Sequence, residues 1–324
     1  MDFFLAPMAE LSHRALRELI EDFGGCDAYF SEMISAGALL AGGPFEKWYI
    51  DNAPKPEKLV FQLVGSDSGQ ISKAAAILDR LDCAGIDINM GCSAPLIRKQ
   101  GAGAAWMASI DRAGKLISRV RPLVKRRLSV KLRIGFQDDF EYLVRFCRRL
   151  EEAGTELITL HPRTVREKFK RLARWEYVGA LRQELSIPVA GNGDIACAED
   201  LVRRAAGPCD AVMVGRAAVR QPWIFAEAKG QRANSNEQIA NSNGRAAMGV
   251  ERGAVNLEGT GLRFLELLAL YQPPEFFVSR AKRFFGFFCD NLKWGNYLKN
   301  KINRENTLSG IERVWTEYFR ENES

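Results

Sequence analysis

Eight short apolar runs, separated by segments of helical periodicity, constrain the fold of this 324-residue chain more than any other feature. The runs predict strands at Phe3–Met8, Ala28–Met33, Leu59–Val64, Gly85–Met90, Ser129–Ile134, Leu157–Leu160, Ile187–Ala190 and Ala211–Val214. Helical patterns lie between them, as at Ile71–Leu81 and Tyr142–Ala153. Eight strands alternating with helices over about 220 residues are typical of an α/β chain folded as a (β/α)8 TIM barrel, with a doubly wound sheet as the alternative.

The sequence pattern changes after Trp223. Residues 229–261 are rich in Asn, Ser, Gly, Ala and Gln, which predicts a low-complexity linker or insertion with little fixed structure. From residue 262 onward, an apolar stripe that includes Phe277, Phe284 and Phe288 predicts helices again. The expected organisation is a TIM-barrel domain over 1–228, the linker over 229–261, and a small all-helical domain over 262–324.

The composition excludes several classes of protein. No run approaches the roughly 18 apolar residues of a membrane-spanning helix, and the chain does not open on a secretory leader, so we expect a cytoplasmic protein with no membrane partner. Seven cysteines form no C-x-x-C pair, and His13 and His161 are the two histidines, which argues against a disulfide framework and against a metal site. A monomer is the expected state.

One thiol stands out by its position. The tetrapeptide Asn89-Met90-Gly91-Cys92 closes the fourth predicted strand, and two glycines follow in the stretch from Gly101 to Ala104. In a barrel the carboxyl ends of the strands face the ligand site, so we expect Cys92 and Asn89 there, on a loop that the glycines leave flexible. Cys92 is therefore a candidate for catalysis. The alternative is a small buried cysteine in a tight turn.

Other strand ends carry residues that suit an anionic ligand. Gly191-Asn192-Gly193-Asp194 follows the seventh strand and Gly215-Arg216 follows the eighth, where glycines let backbone N–H groups approach a phosphate. Lys131 in the fifth strand either points into the barrel, toward an anionic or electron-rich partner, or points outward to solvent. His161 at the sixth strand is either a structural histidine or part of the same site.

Positive charge is concentrated near the C-terminus. Between Arg280 and Arg304, seven basic residues stand against one acidic residue, with Trp294 and Tyr297 interleaved. A second basic cluster, residues 163–174, follows the sixth strand. Basic faces with aromatic side chains predict contact with RNA phosphates and bases, and the alternative is that they are merely solvated helix faces.

Taken in order, these motifs resemble those of the tRNA-dihydrouridine synthase family, FMN-dependent enzymes that reduce uridine in tRNA. The resemblance is carried by Ala6-Pro7-Met8-Ala9, Ser31-Glu32-Met33, Gln62-Leu63, Asn89-Met90-Gly91-Cys92, Lys131-Leu132-Arg133, His161-x-Arg163-Thr164, Gly191-Asn192-Gly193-Asp194 and Gly215-Arg216. It runs from Pro7 to about Phe225 and continues more faintly through the C-terminal helices.

The resemblance implies a role for each matching residue. Cys92 would be the catalytic acid that gives a proton to uracil C5, while reduced FMN gives hydride to C6. The residues implied to hold FMN are Pro7, Met8, Ala9, Gln62, Lys131, His161, Asn192, Gly193, Asp194, Gly215 and Arg216. NADPH or NADH would reduce the flavin. Contacts with the tRNA substrate are expected from Asn89, Arg163, Arg280, Lys282 and Arg283.

Two other functions stay open at this point. One is an FMN barrel oxidoreductase that acts on a small molecule, as dihydroorotate dehydrogenase does, and the basic residues near the C-terminus argue against it. The other is a non-catalytic RNA-binding protein that keeps the barrel as a scaffold. The presence of Cys92, Lys131 and His161 argues against that second function.

Overall fold

Eight parallel strands close into one barrel in chain order in the computed structural model, which describes residues 1–240, the last seven as backbone only, and 255–322. The strands are β1 Asp2–Leu5, β2 Ala28–Ser35, β3 Leu59–Val64, β4 Gly85–Met90, β5 Arg127–Arg133, β6 Leu157–His161, β7 Val189–Asn192 and β8 Ala211–Val214. The strand β1 pairs with both β2 and β8, which closes the ring. The prediction of a TIM barrel is confirmed.

Helices alternate with the strands and then continue alone toward the C-terminus. They are α1 Arg14–Asp22, α2 Ala36–Ala41, α3 Glu46–Tyr49, α4 Ser68–Leu78, α5 Pro95–Lys99, α6 Ile110–Val120, α7 Phe140–Glu152, α8 Trp175–Glu184, α9 Ala198–Ala205, α10 Arg216–Arg220, α11 Ile224–Ala240, α12 Leu257–Tyr271, α13 Pro274–Phe288, α14 Gly295–Arg304 and α15 Leu308–Asn322. Short 3₁₀ helices span Pro56–Lys58, Gly103–Ala108, Arg121–Leu123 and Cys289–Asn291. The predicted C-terminal helices are confirmed.

The barrel interior holds both an apolar cluster and a group of polar side chains. The apolar cluster contains Phe4, Phe30, Ala190 and Met213, among others, and takes one residue each from β3 and β6. Polar side chains occupy further inward positions of β3 to β6. The register sets them opposite one another in three steps, Gln62 to Asp87, Asp87 to Ser129, and Lys131 to Thr159. Because side chains alternate along a strand, these residues share the inner face.

Contacts divide the chain into two compact units that do not follow chain order. The first contains Met1–His13, Asp27–Ile195 and Arg204–Gly215, and therefore all eight strands. The second contains Arg14–Cys26, Ala196–Arg203 and Arg216–Ser324.

Within the second unit, α1 packs on the C-terminal helices. The Arg14 guanidinium lies 3.7 Å from the Tyr271 ring centre, and Arg263 donates to Asp22 over 2.9 Å. The core of this unit is aromatic, with the rings of Phe264 and Phe284 stacked at 3.7 Å.

Prolines account for two differences between predicted and observed strands. The first strand ends at Leu5 instead of Met8, because Pro7 has no N–H to continue the ladder. The seventh begins at Val189 instead of Ile187, since Pro188 cannot donate and the N–H of Ile187 is bound by the Glu151 carboxylate, 2.9 Å away.

The segment 229–261 is helical at both ends, contrary to the prediction of little fixed structure. Helix α11 continues to Ala240, and α12 begins at Leu257. The stretch 241–254 lies outside the described residues. The domain boundaries near residues 228 and 262 stay predictions. Among the residues that the structure describes, no helix is long and apolar enough to cross a membrane.

Candidate active site

The loop after β4 holds Cys92 by its backbone on two sides. The side-chain oxygen of Asn89 accepts hydrogen bonds from the N–H groups of Gly91, at 3.1 Å, and Cys92, at 2.9 Å. The Cys92 carbonyl accepts from the N–H of Ala104 over 3.0 Å. The thiol residue is half-buried, whereas Cys26, Cys83, Cys147, Cys209 and Cys289 are buried. A fully buried, inert cysteine is therefore not what the structure places here.

The glycines after Cys92 are required by conformation and close packing. Gly103 has a φ of +59°, in the left-handed region, and a Cβ added there would lie 2.9 Å from the Cys92 carbonyl oxygen. Gly101 also has a positive φ, of +77°. Gly103 opens a 3₁₀ helix whose Trp106 indole N–H donates to the Gly65 carbonyl over 2.8 Å. The expected flexibility of this loop stays a prediction.

A chain of buried polar side chains runs from the barrel interior to this loop. The amide of Gln62 donates to the Asp87 carboxylate over 2.7 Å and accepts from the Asn89 amide over 2.8 Å. The Ser129 hydroxyl donates to the other oxygen of Asp87 over 2.6 Å. Burial raises the pKa of Asp87 to about 6, against the opposing effect of these hydrogen bonds. Gln62 and Asn89 are thus brought together beside Cys92.

Lys131 points into the barrel, so the outward-facing alternative is wrong. Its ammonium donates to the side-chain oxygen of Asn192 over 3.0 Å, and the Asn192 amide donates to the Met213 carbonyl over 2.7 Å. Burial lowers the pKa of Lys131 to about 8, with repulsion from Arg133 as a further cause. The next inward residue on β6, Thr159, is fully buried. Within the described part of the chain its hydroxyl makes no hydrogen bond.

His161 and Asp194 are joined by Arg163. The guanidinium of Arg163 lies 3.0 Å from His161 Nε2 and also donates to the Asp194 carboxylate. Because an arginine only donates, His161 Nε2 must accept, which leaves the ring proton on Nδ1. The glycine before Asp194, Gly193, has a φ of +121°, and a Cβ there would lie 3.1 Å from the His161 ring.

These contacts describe the surroundings of Arg163. Its side chain is buried and binds Asp194, His161 and the Arg171 carbonyl, and its predicted contact with substrate or phosphate stays a prediction. The Asp194 carboxylate is engaged as well, since its second oxygen accepts from the Ala173 N–H over 2.6 Å.

The remaining predicted cofactor residues lie at the first and last strands. Pro7 and Met8 are half-buried and Ala9 is exposed after β1. The Met8 sulfur lies 3.6 Å from the position that a Cβ on Gly215 would take, so the end of β8 adjoins Met8. Arg216 begins α10, is exposed, and belongs to the second unit.

Arg280 is not a surface residue, which corrects its predicted contact with tRNA. Its side chain is 2% exposed, donates to the Gln272 side-chain oxygen, and lies 4.7 Å from the Phe276 ring centre. Lys282 is half-buried and Arg283 is exposed. Of the other predicted basic residues, Lys299 pairs with Asp290.

Two aromatic side chains on the helical surface are more than half exposed. Trp294 is 56% and Tyr297 58% exposed. The ammonium groups of Lys293 and Lys301 lie 5.6 and 4.9 Å from their respective ring centres.

The second basic cluster is partly neutralised. Arg174 donates to Glu167 over 2.7 Å and to Asp138 over 2.9 Å. The hydrogen bonds from Arg174 lower the pKa of Glu167 to about 2. The cluster's exposed cations are Arg166, Lys168, Lys170 and Arg171. No group of three or more His, Cys, Asp or Glu side chains within the described ranges is placed to hold a metal ion.

Sequence reasoning missed Asp87, Ser129 and Thr159. The signal was available, because Asp87 lies two residues before Asn89 and Ser129 two before Lys131, which puts each pair on the same face of its strand. A polar residue at an inward position of a barrel strand indicates either a buried network or a ligand contact.

The fold and this site define a TIM-barrel protein with a thiol and a polar cluster at the carboxyl ends of its strands, the usual place of catalysis in such barrels. The family model for dihydrouridine synthase matches residues 4–257, and the chain belongs to that family.

Named relatives agree with this membership. The chain is 33% identical over 237 residues to the probable tRNA-dihydrouridine synthase of Aquifex aeolicus strain VF5, covering 71% of this chain and 73% of that protein. It is 30% identical over 242 residues to the tRNA-dihydrouridine(16) synthase of Ralstonia nicotianae strain GMI1000, covering 71% and 73%. A tRNA-dihydrouridine(47) synthase-like protein of Xenopus tropicalis, whose name specifies NAD(P)(+), is 31% identical over 231 residues, covering 71% and 36%.

The pKa of Asp87 generates a prediction about stability. Between pH 4 and 6 the folded protein holds a proton on Asp87 that the unfolded chain has lost, so this residue lowers the free energy of unfolding as pH rises. Asp87→Asn removes the titration. We expect the free energy of unfolding of the variant, relative to that of the wild type, to rise by up to about 3 kcal/mol between pH 4 and pH 7. Urea unfolding of both proteins at the two pH values measures this, and a difference that does not change with pH contradicts it.

Proposed function

We propose that this protein reduces specific uridines in tRNA to 5,6-dihydrouridine, with FMN as cofactor and NADPH or NADH as electron donor. The observation that carries the proposal is the half-buried thiol of Cys92, held at the carboxyl end of β4 in a chain of the dihydrouridine synthase family. Relatives named tRNA-dihydrouridine synthase support tRNA as the substrate. Family membership favours this function over reduction of a small molecule.

The polar side chains inside the barrel are chemically suited to FMN. The buried Thr159 hydroxyl has no hydrogen-bond partner among the described residues, and the amine of Lys131, opposite it in register, is anchored toward the interior by Asn192. Donors of this kind suit the electron-rich edge of a flavin ring. The proposed FMN residues are Pro7, Met8, Ala9, Gln62, Lys131, His161, Asn192, Gly215 and Arg216, with the backbone of Gly193 and Asp194. When bound, reduced FMN supplies the hydride that the uracil ring receives at C6.

The protein's own residues would supply the proton and hold the substrate. Reduction of the C5–C6 double bond needs an acid that delivers a proton to C5, and a free thiol keeps its proton at neutral pH. Cys92 takes this role. The Asn89 amide, which already donates to Gln62, has a second N–H that is available to a uracil oxygen. The Lys131 ammonium inside the barrel would stabilise negative charge that develops on the flavin ring during the reaction.

Exposed cations would bind the tRNA backbone. On the helical unit these include Arg283, Lys293 and Arg304, with Trp294 and Tyr297 as stacking surfaces, and Lys282 contributes from a half-buried position. On the barrel unit they are Arg166, Lys168, Lys170 and Arg171. Arg280 and Arg163 are not part of this proposed surface because both side chains are buried.

Cys92→Ala tests the chemistry. We expect the variant to bind FMN and oxidise NADPH as the wild type does, while its rate of dihydrouridine formation in unmodified tRNA falls by about 10²–10⁴-fold, as for the loss of a general acid. Cys197→Ala is the matched control, since Cys197 is the other half-buried thiol in the described part of the chain. Equal turnover of Cys92→Ala and Cys197→Ala on tRNA removes Cys92 from the mechanism.

Lys131→Ala tests the cofactor site. Loss of a charge-assisted hydrogen bond costs about 1.5–3 kcal/mol, so we expect FMN affinity to fall roughly tenfold or more in a fluorescence titration. Arg216→Ala, tested separately, is expected to weaken FMN by a similar factor. Lys115→Ala, on the exposed face of α6, is the control that keeps wild-type affinity. If both Lys131→Ala and Arg216→Ala retain full FMN affinity, the proposed cofactor site is wrong.

Charge reversal of Arg283, Lys293 and Arg304 tests the tRNA surface. We expect the triple Glu variant to bind tRNA more weakly, and the slope of log affinity against log salt to fall by about one for each phosphate that the variant no longer binds. The matched control reverses three exposed cations of the barrel unit, Lys73 on α4, Arg80 in the turn after α4, and Lys115 on α6. If the two triple variants bind tRNA equally well, the helical surface does not grip tRNA, and the cluster from Arg166 to Arg171 becomes the candidate.

A further inference from the structure

Asp87 is a buried carboxyl that none of the roles above uses. It is 0% exposed, in the middle of β4 and two residues before Asn89. Its two oxygens accept hydrogen bonds from the Ser129 hydroxyl and the Gln62 amide. Placing a carboxylate inside a barrel costs free energy, and an apolar residue at this position would avoid that cost. The position therefore calls for a functional explanation.

Hydrogen-bond polarity makes Asp87 one end of an ordered chain. An ionised carboxylate only accepts, so Gln62 must turn its NH₂ toward Asp87 and its oxygen toward the Asn89 NH₂. At the other end, the N–H groups of Gly91 and Cys92 only donate, so Asn89 must turn its oxygen toward them. Reversing either amide would set N–H against N–H at one contact and oxygen against oxygen at the other.

We propose that Asp87 is a positioning residue that fixes, through Gln62 and Asn89, the backbone of Cys92 and hence the place of its thiol. The proposal deepens the proposed function, because it assumes that Cys92 is the acid. The Cys92 N–H is held by this chain at 2.9 Å, and its carbonyl is held by the Ala104 N–H at 3.0 Å. Of these two contacts, only the one at the Cys92 N–H is connected through Asn89 and Gln62 to the Asp87 carboxylate.

The same contacts also orient the groups around the thiol. Each amide in the chain has two N–H hydrogens and uses one of them within it, Gln62 on Asp87 and Asn89 on Gln62. The second hydrogen of each is thereby aimed by Asp87 as well. Asp87, which contacts neither cofactor nor substrate, would thus orient two N–H donors, those of Gln62 and Asn89, and the thiol of Cys92.

The test compares Asp87→Ala with Ser129→Ala in the full-length protein. Both variants remove the hydrogen bond between Asp87 and Ser129, but only Asp87→Ala breaks the link to Gln62. Two local measurements are made without tRNA. One is hydrogen–deuterium exchange of peptides that cover residues 89–104, with peptides from β6 as reference. The other is the rate of Cys92 alkylation by iodoacetamide, resolved by peptide mass spectrometry, with Cys197 in the same sample as reference.

We expect Asp87→Ala to speed amide exchange at Gly91 and Cys92 at least tenfold and to change the ratio of Cys92 to Cys197 alkylation, with β6 exchange unaltered. Ser129→Ala is expected to behave as the wild type. Asp87→Asn keeps an oxygen that accepts from Gln62, so its amide exchange and alkylation are expected to remain near those of the wild type. This result would show that the hydrogen bond to Gln62, and not packing alone, holds the loop. If Asp87→Ala does not fold, Gln62→Met breaks the chain at its next link and is expected to loosen the same peptide.

Wild-type exchange and alkylation in folded Asp87→Ala, or equal loosening by Ser129→Ala, overturns the proposal. These measurements need no catalysis, so they decide the role of Asp87 even if the wild type forms no dihydrouridine. Where it does, a further expectation is that Asp87→Ala lowers kcat at least tenfold with tRNA affinity unchanged. A change confined to KM contradicts the positioning role.

Discussion

Closure of eight parallel strands into one ring forces alternate side chains of every strand into a single shared interior. That constraint decides which residues meet. On β1, β2 and β8 the inward positions hold Phe4, Phe30 and Met213, and they pack into an apolar cluster. On β3 to β6 several of them hold polar groups, which must satisfy one another or a ligand because the barrel interior offers few alternatives. A slip of one residue in the register of β4 would turn Asp87 and Asn89 outward and dismantle the site.

The same interior disfavours charge of either sign. Burial raises the pKa of Asp87 to about 6 and lowers that of Lys131 to about 8, so the two groups are displaced toward each other from opposite ends of the scale. Near neutral pH both are still mostly charged. Each then depends on its neighbours, Asp87 on the Gln62 and Ser129 donors and Lys131 on the Asn192 acceptor. An electron-rich ligand in the barrel would stabilise the lysine further. The hydroxyl of Thr159, which pairs with Lys131 in register, makes no hydrogen bond within the described residues.

The sequence predicts the framework of this fold well because its signals are local. The strands Leu59–Val64, Gly85–Met90 and Ala211–Val214 have the bounds that their apolar runs predict, and two of the ends that moved lie at Pro7 and Pro188. Position at or near a strand end also selects Asn89, Cys92, Lys131 and His161 as candidate site residues, but it leaves the direction of the Lys131 side chain open. Hydrogen-bond partners are a different matter, because they depend on register between strands that are 25 to 42 residues apart, as for Asp87 with Gln62 and with Ser129.

The composition of the chain did not reveal which arginines are buried. Arg163 and Arg280 lie in runs of positive charge, which suggests a surface, yet both are buried. For Arg280 the periodicity held the answer: it follows Phe277 by three residues and precedes Phe284 by four, which places it on the apolar face of α13.

Chain order also does not show which residues belong to the proposed catalytic part and which to the proposed RNA-binding part. Because α1 belongs with the C-terminal helices, through Arg14 on Tyr271 and Arg263 on Asp22, a chain cut after residue 228 would lose the partners of α1 along with the basic helices. Weak RNA binding by such a fragment would then report disrupted packing as much as missing charge. Single exposed cations avoid this ambiguity, since they carry charge without contributing to the core. Variants of exposed charge therefore test the proposed RNA binding separately from the proposed chemistry of the barrel more cleanly than truncation does.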